Sequence, residues 1–329
     1  MRFVSALLLS LLACLIATGT FCDRAQATDA ILGPEAAKTI PIADAHFHVM
    51  TWMDVRELIG YMDRNGIRWA GGGGIAGGSG EPELVRAKHA EAITLLGNRY
   101  IRVTGMGYWF RLKREEGVAA LEKLDTPAFE KILAAIEADL RDRDARVIGE
   151  LHVNAMTSAN HPFGQFKIKG DAPTLKALLD LAGKYNRPLS IHAQWDPDTA
   201  EEVGRLAESN RTARLILAHC GTFATSAEIR ALFERHPNVS CDLAYRSAPP
   251  LKHRGRRRAI FDDGGIQGDW KQLIEDYPDR FVVGIDDMYS WSEYEEVAQV
   301  IRFGLLENLS PATAEKVAYK NAVAWFELE

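Results

Sequence analysis

Short apolar runs of strand length alternate along the chain with amphipathic stretches of helical spacing. The apolar runs are hydrophobic on both faces, which is typical of strands in a parallel sheet covered by helices. In the helical stretches apolar positions recur three or four residues apart, as at Ile132, Ile136 and Leu140. Eight strands are predicted, at residues 40–49, 67–73, 100–106, 146–153, 187–193, 213–219, 238–244 and 280–286.

Regular alternation of strand and helix at this length predicts an α/β protein, a closed (β/α)8 TIM barrel. A doubly wound open sheet is the alternative, since it has the same alternation of elements. No linker, compositional break or internal repeat beyond the strand–helix rhythm divides the chain. We therefore expect one barrel domain over residues 28–329.

The first 27 residues differ from the rest. Arg2 precedes an almost wholly apolar segment at residues 3–16, and Ala25-Gln26-Ala27 offers small residues for cleavage. This pattern predicts a secretory signal peptide at residues 1–27, because the apolar segment is short for a membrane span. A lipoprotein modified at Cys14 is the alternative. We expect a periplasmic or secreted protein with no membrane span after cleavage.

Composition and charge are those of an ordinary globular protein. The chain is 47% hydrophobic and 26% charged, with a formal net charge of −6. Cleavage after Ala27 would remove Arg2, Arg24 and Asp23, two basic residues and one acidic, so the charge would become −7. A mildly acidic surface argues against a polyanion-binding protein. The expected partner is a small molecule rather than a nucleic acid.

The same cleavage leaves only two cysteines, Cys220 and Cys241, of the four in the chain. Both lie at the ends of predicted strands that can be neighbours. One disulfide and two buried free thiols are both consistent with this placement.

Polar side chains interrupt the apolar strands where the strands end. His46 and His48 are two residues apart, so in a strand they share one face with Asp44. Alone, each such residue would most often be a hydrogen-bonded core residue. Six at one rim of a barrel would be costly to bury together without a cation, and with one they form a metal site. The six candidates are His46, His48, Glu150, His192, His219 and Asp286.

These residues resemble the amidohydrolase superfamily of metal-dependent barrels, and its amidohydrolase-related branch in particular. The resemblance covers nearly all of residues 28–329. It rests on Asp44-Ala45-His46-Phe47-His48, His192, His219-Cys220-Gly221, Asp286 after Gly284, and Asn321-Ala322 followed by Phe326. The proline often found shortly after the last aspartate is absent here, because Asp287-Met288 follows Asp286.

The resemblance implies roles for the six residues. His46 and His48 would bind a first metal, with Asp286 both ligating it and accepting a proton. In mononuclear members His192 would complete that site and His219 would act on the substrate carbonyl. In binuclear members both histidines would bind a second metal that Glu150 bridges. Glu150 is similar to the glutamate of binuclear TatD-type deoxyribonucleases and phosphotriesterase relatives.

The expected function is metal-dependent hydrolysis of an ester, lactone or amide bond in a small molecule. A divalent ion, zinc first with manganese or iron as alternatives, lowers the pKa of a bound water toward about 7. The first alternative is a metal-dependent decarboxylase or hydratase of an unsaturated or aromatic carboxylic acid. A TatD-like nuclease and a non-catalytic metal- or ligand-binding barrel are weaker alternatives.

Candidate substrate determinants lie in loops. Arg246 follows the seventh predicted strand, where it could bind a carboxylate or phosphate of an anionic substrate. The basic run at residues 252–258 is read as a charged surface loop, with anion recruitment as the alternative. The glycine-rich residues 71–80 match no phosphate-loop pattern and indicate a flexible loop. Trp52, Trp109 and Trp195 are candidates for the wall of an apolar pocket, with ordinary packing as the alternative.

Overall fold

The computed structural model describes residues 30–76, 82–156, 164–244, 246, 259–262, 264–286 and 288–329. The predicted signal peptide and the basic run at residues 252–258 lie outside these ranges. Ile31–Glu329 forms one compact unit. Among the described residues, no helix has the length and apolar character needed to cross a membrane.

The strands follow the predicted order along the chain. They are β1 (Ile42–Met50), β2 (Ile67–Ala76), β3 (Tyr100–Ile101), β4 (Val103–Gly105), β5 (Val147–Asn154), β6 (Leu189–Ala193), β7 (Leu215–Ala218), β8 (Val239–Asp242), β9 (Phe261–Asp262), β10 (Gly265–Ile266) and β11 (Phe281–Val282). Strands β9 and β10 form an antiparallel pair that was not predicted.

Helices separate most of the strands. They are α1 (Pro34–Thr39), α2 (Val55–Arg64), α3 (Pro82–Leu96), α4 (Met106–Glu116), α5 (Pro127–Asp142), α6 (Pro173–Lys184), α7 (Pro197–Ser209), α8 (Ser226–Arg235), α9 (Gly268–Asp276), α10 (Trp291–Gln299), α11 (Pro311–Glu315) and α12 (Asn321–Phe326). Short π-helical segments at Val300–Leu305 and Lys316–Lys320 continue α10 and α11.

The parallel strands form two sheets, β1-β2-β3 and β11-β8-β7-β6-β5-β4. At one junction β3 runs into β4 through Arg102 alone. At the other, the Ala45 amide donates to the Val283 carbonyl (3.0 Å) and the Asp286 amide to the His46 carbonyl (2.7 Å). The chain thus follows the strand order of a (β/α)8 barrel, as predicted.

Local signals explain where the helices begin. Helix α5 starts after Thr126, whose hydroxyl accepts the Phe129 amide (3.1 Å), with Pro127 in the first turn. The helix buries Ile132, Ile136 and Leu140, as their spacing predicted. Its apolar face therefore covers the outside of the sheet.

Two predictions about boundaries were wrong. Residue 106 starts α4 rather than ending a strand, so Trp109 and Phe110 are helical. Strand β2 continues into the glycine-rich segment as far as Ala76 instead of ending at residue 73, and residues 77–80 of that segment lie outside the described residues. Within this strand glycine is required at residue 72, because a Cβ there would lie 2.2 Å from the Ala45 carbonyl oxygen of β1.

A buried arginine connects the N-terminal ends of β1 and β2. The Arg302 guanidinium donates to the main-chain carbonyls of Ala37, Ile40 and Asn65. Its side chain is almost fully enclosed. The three carbonyls receive from one cation the hydrogen bonds that water would otherwise supply.

We predict that Arg302→Met lowers the free energy of unfolding by about 2–4 kcal/mol, because it leaves three buried carbonyls without this donor. Urea unfolding of the purified chain measures the change. The control is Arg64→Met, an exposed arginine of α2, which should stay within about 0.5 kcal/mol of wild type. Equal stability of the two variants would contradict the assignment.

Candidate metal centre

The six predicted side chains meet in one buried cluster at the C-terminal ends of the strands. Two of them lie in β1, one lies in β5 and one in β6. The fifth directly follows β7, and the sixth lies four residues after the end of β11. The six are His46, His48, Glu150, His192, His219 and Asp286, of which none is more than 6% exposed.

Four ligand atoms converge on one side of the cluster. The Nε2 atoms of His46 and His48 lie 3.3 Å apart. Glu150 Oε2 lies 3.5 and 3.6 Å from them, and Asp286 Oδ1 lies 3.9 and 3.6 Å from them. Bonds of about 2.0–2.2 Å to a tetrahedral ion place the ligand atoms roughly 3.3–3.6 Å apart. Four of these five separations lie in that range, and the arrangement is compatible with a divalent ion.

The other oxygen of Glu150 faces a second pair of histidines. Glu150 Oε1 lies 2.8 Å from His192 Nδ1 and 3.1 Å from His219 Nε2. These two rings are 5.0 Å apart. One carboxylate thus lies between two pairs of imidazoles, with one oxygen toward each pair.

Hydrogen bonds of the Nδ1 atoms orient two of the imidazoles, those of His46 and His219. His46 Nδ1 lies 2.9 Å from Asp242 Oδ2, and His219 Nδ1 lies 3.0 Å from the Ala244 carbonyl oxygen. A carbonyl or ionised carboxylate can only accept, so Nδ1 carries the proton in each ring. In the neutral rings Nε2 then presents its lone pair to the cluster, as metal coordination requires.

The electrostatics of the cluster favour positive charge. Burial alone would lower the pKa of His46, but the carboxylates of Asp242 and Glu150 outweigh it and raise that pKa well above its ordinary value. Burial alone would raise the pKa of Glu150, but His46 and His192 outweigh it and hold that pKa well below its usual range. The site thus stabilises a cation, which a divalent ion would supply.

Asp286 is placed by close packing against β1. A Cβ at Gly284 would lie 2.7 Å from His46 Cβ, so only glycine permits this approach. Asp44 accepts the Ile285 amide (2.9 Å), and burial raises the pKa of Asp44 to about 8. Through this hydrogen bond Asp44 connects β1 to the segment that carries Asp286.

His219 lies on a left-handed turn. His219, Cys220, Gly221 and Thr222 all have positive φ, between 45° and 69°. Three of the four are not glycine, and this conformation costs such residues free energy. The side chain of Arg246 donates to the carbonyls of His219 (3.0 Å) and Ala224 (2.9 Å) and packs on Trp270. These contacts stabilise the turn.

Arg246 was predicted to bind substrate. The structure places it near the cluster, but its side chain is fully buried and its guanidinium contacts main-chain carbonyls. Substrate binding by Arg246 stays a prediction, and its contacts indicate a positioning role for the turn that carries His219.

Sequence reasoning missed two members of the cluster, Asp242 and His152. Asp242 ends β8, and besides His46 its carboxylate accepts the amides of His219 (3.0 Å) and Ala244 (3.1 Å). His152 lies two residues after Glu150 and stacks on His192 at 4.4 Å. Burial, with the charge of His192, lowers the pKa of His152 to about 4, so the ring is neutral at pH 7. The same two-residue spacing as in β1 was the signal that could have identified His152.

The remaining candidates have ordinary structural surroundings. Trp109 is buried and donates to the His152 carbonyl (3.0 Å), and Trp195 packs on Gly221. Trp52 is 45% exposed and contacts Trp291. Cys220 and Cys241 are buried free thiols rather than a disulfide.

Comparison with solved structures shows the fold. A TIM-barrel protein of Bordetella bronchiseptica has a TM-score of 0.56 at 14% identity, with 84% of this chain and 83% of that chain covered. An amidohydrolase of Burkholderia multivorans has a TM-score of 0.52 at 17% identity, with 88% of this chain and 100% of that chain covered. A 2,6-dihydroxybenzoate decarboxylase from Rhizobium has a TM-score of 0.50 at 12% identity, with 88% of this chain and 99% of that chain covered. These similarities confirm the predicted barrel.

The sequence also matches a protein family. No curated protein matches the chain. The model of the amidohydrolase family matches residues 43–328. This range begins in β1 and includes every residue of the cluster described above. The chain therefore belongs to the amidohydrolase family.

Proposed function

We propose that this amidohydrolase-family protein is an exported metal-dependent hydrolase that cleaves an ester, lactone or amide bond in a small molecule. The observation that supports it best is the position of Glu150 between two imidazole pairs, with one oxygen toward each. We propose that this arrangement binds two divalent ions, zinc by preference.

The residues divide into two groups for metal binding. His46, His48 and Asp286 would hold one ion, and His192 and His219 the other, with Glu150 shared between them. Such ions supply positive charge that polarises the scissile carbonyl and lowers the pKa of a coordinated water. Asp242 holds the proton on His46 Nδ1, which keeps the Nε2 lone pair directed into the site.

Asp286 is the proposed proton carrier. Its carboxylate lies at the C-terminal end of the barrel, where substrates enter barrels of this type. Oδ1 faces His48 Nε2 at 3.6 Å, and Oδ2 faces His219 Nδ1 at 3.8 Å. A carboxylate so placed can accept the proton of the attacking water and deliver it to the leaving group.

The alternative reaction is decarboxylation or hydration of an unsaturated or aromatic carboxylic acid. It has support because the same fold is found in the Rhizobium decarboxylase. Hydrolysis and hydration both consume water, whereas only decarboxylation releases carbon dioxide. A non-catalytic metal-binding barrel is the remaining alternative.

Incubation in ¹⁸O-labelled water with panels of esters, lactones, amides, aromatic acids and unsaturated acids separates these functions. Hydrolysis places one ¹⁸O in the product carboxylate and releases no CO₂. Hydration also releases no CO₂, but it places the ¹⁸O in a new hydroxyl group of an unsaturated acid, and this result supports the hydratase and refutes the hydrolase. Release of CO₂ without incorporation of label supports the decarboxylase and refutes the hydrolase. Tight metal binding with no turnover of any panel member supports the non-catalytic barrel.

Export is tested separately, because it rests on residues 1–27 alone. N-terminal sequencing of the protein recovered from a periplasmic extract should begin at Thr28. A chain that retains residue 1 in the cytosolic fraction would overturn this part of the proposal and leave the chemistry untouched.

We predict that wild type binds about two divalent ions per chain and that His46→Ala/His48→Ala binds about one. The double variant retains Glu150, His192 and His219, and adding His192→Ala should remove the second ion. Elemental analysis after dialysis measures the stoichiometry. His236→Ala, outside the cluster, is the control and should match wild type. A wild-type content of one ion would contradict the bridged pair.

We also predict that Arg246→Met alters the visible absorption of the Co²⁺-loaded protein, because the turn carrying His219 loses its stabilising donor. Arg302→Met is a matched control, since Arg302 is likewise buried and bound to carbonyls, but at the opposite end of the strands. It should lower the unfolding temperature and leave the spectrum unchanged. Identical spectra for both variants and wild type would show that Arg246 has no positioning role.

A further inference from the structure

A cavity of about 570 Å³ lies among the helices that cover one side of the barrel. It is bounded by α3, α4, β4 and the end of α5, and also by Ile75 of β2 and by Gly149 of β5, which directly precedes Glu150. None of the side chains of the metal cluster lines it. Its volume is within the range of small-molecule pockets, about 300–1,000 Å³.

The lining of this cavity is strongly positive. Among the described residues that line it, the only carboxylate is Asp139, which accepts from Thr104 Oγ1 (2.7 Å), the Tyr108 hydroxyl (3.1 Å) and Arg143 (2.8 Å). The Asp139 carboxylate thus already accepts hydrogen bonds from three side chains. Five arginines line the cavity in a chain whose formal net charge is −6. They are Arg86, Arg102, Arg111, Arg114 and Arg143.

Two of these arginines have guanidinium groups available for a ligand. Arg111 and Arg114 are three residues apart on α4, so they share one face of that helix. Among the described residues, neither has a carboxylate within ion-pair distance, whereas Arg102 pairs with Asp144 and Arg143 with Asp139. The pair therefore offers planar donors suited to a carboxylate.

The rest of the lining is largely apolar. Ile75, Val85, Ile93, Met106 and Phe110 contribute to it. A small inorganic anion would leave this apolar surface in contact with water. A ligand with a carboxylate at one end and an apolar body would satisfy both parts of the cavity.

We propose that this cavity is a second ligand site, which binds a small molecule consisting of a carboxylate on an apolar body. The carboxylate lies against Arg111 and Arg114, and the apolar body occupies the space between α3 and the start of α4. The site does not depend on the metal ions or on the proposed hydrolysis.

A glycine in the cavity wall provides a direct test. Gly107, in the first turn of α4, lines the cavity, and a Cβ there would meet no heavy atom within 4 Å. Gly107→Phe therefore adds a large side chain at the cavity wall without displacing the backbone. Gly268, at the start of α9, has equally open surroundings and does not line the cavity, so Gly268→Phe is the matched control.

The experiment is calorimetric titration of the metal-loaded full chain with decanoate, compared with the neutral probe 1-decanol. We expect decanoate to bind one site per chain and decanol to bind more weakly. Gly107→Phe should abolish decanoate binding and Gly268→Phe should preserve it. Arg111→Gln/Arg114→Gln should weaken it roughly tenfold or more, because two charge-assisted contacts are lost. The control for that double variant is Arg64→Gln/Arg211→Gln, two exposed arginines elsewhere.

Four results would each overturn the proposal. They are no decanoate binding by wild type, equal affinity for decanol, equal weakening in both arginine variants, and unchanged binding by Gly107→Phe. Loss of decanoate binding in His46→Ala/His48→Ala would also overturn it, since the probe would then occupy the metal centre. Unchanged binding in that variant supports a separate site, whatever the ¹⁸O experiment shows.

Discussion

Burial of several carboxylates beside several imidazoles is the constraint on which the functional end of this barrel depends. Glu150 is almost inaccessible, and its two oxygens face His46 and His48 on one side and His192 and His219 on the other. Buried negative charge is tolerated only where cations compensate it. The separations between these ligand atoms are compatible with a divalent metal ion, which would complete this charge balance.

The rest of the site fixes the orientation of those ligands. Asp242 accepts three hydrogen bonds, one from a ligand ring and two from main-chain amides. Arg246 donates to carbonyls of the left-handed turn at His219. A turn with three non-glycine residues at positive φ persists only where its surroundings impose it. Asp242 and Arg246 thus help to fix the positions of His46 and His219.

The sequence allowed the barrel and most of the metal cluster to be predicted. Strand periodicity placed His46 and His48 on one face, and the polar ends of apolar strands identified Glu150, His192 and Asp286. Asp242 and His152 were missed because they resemble ordinary polar residues in a strand. Their roles depend on partners far away in sequence, His46 for Asp242 and His192 for His152. The helical state of Trp109 and the continuation of β2 from residue 73 to Ala76 were also missed, since local propensity favoured other structures there.

By itself, the sequence determined which elements form and which chemical groups stand at the strand ends, because hydrophobic periodicity and residue type are local properties. Only the tertiary structure decided that Glu150 directs one oxygen to each histidine pair, and that Arg246 is enclosed among main-chain carbonyls. It also decided that the arginines of α4 line a cavity with Arg102, which connects β3 to β4, and with Arg143, which follows α5. Distances between side chains on different strands depend on how the barrel closes. That closure is set by packing across the whole domain rather than by any one segment.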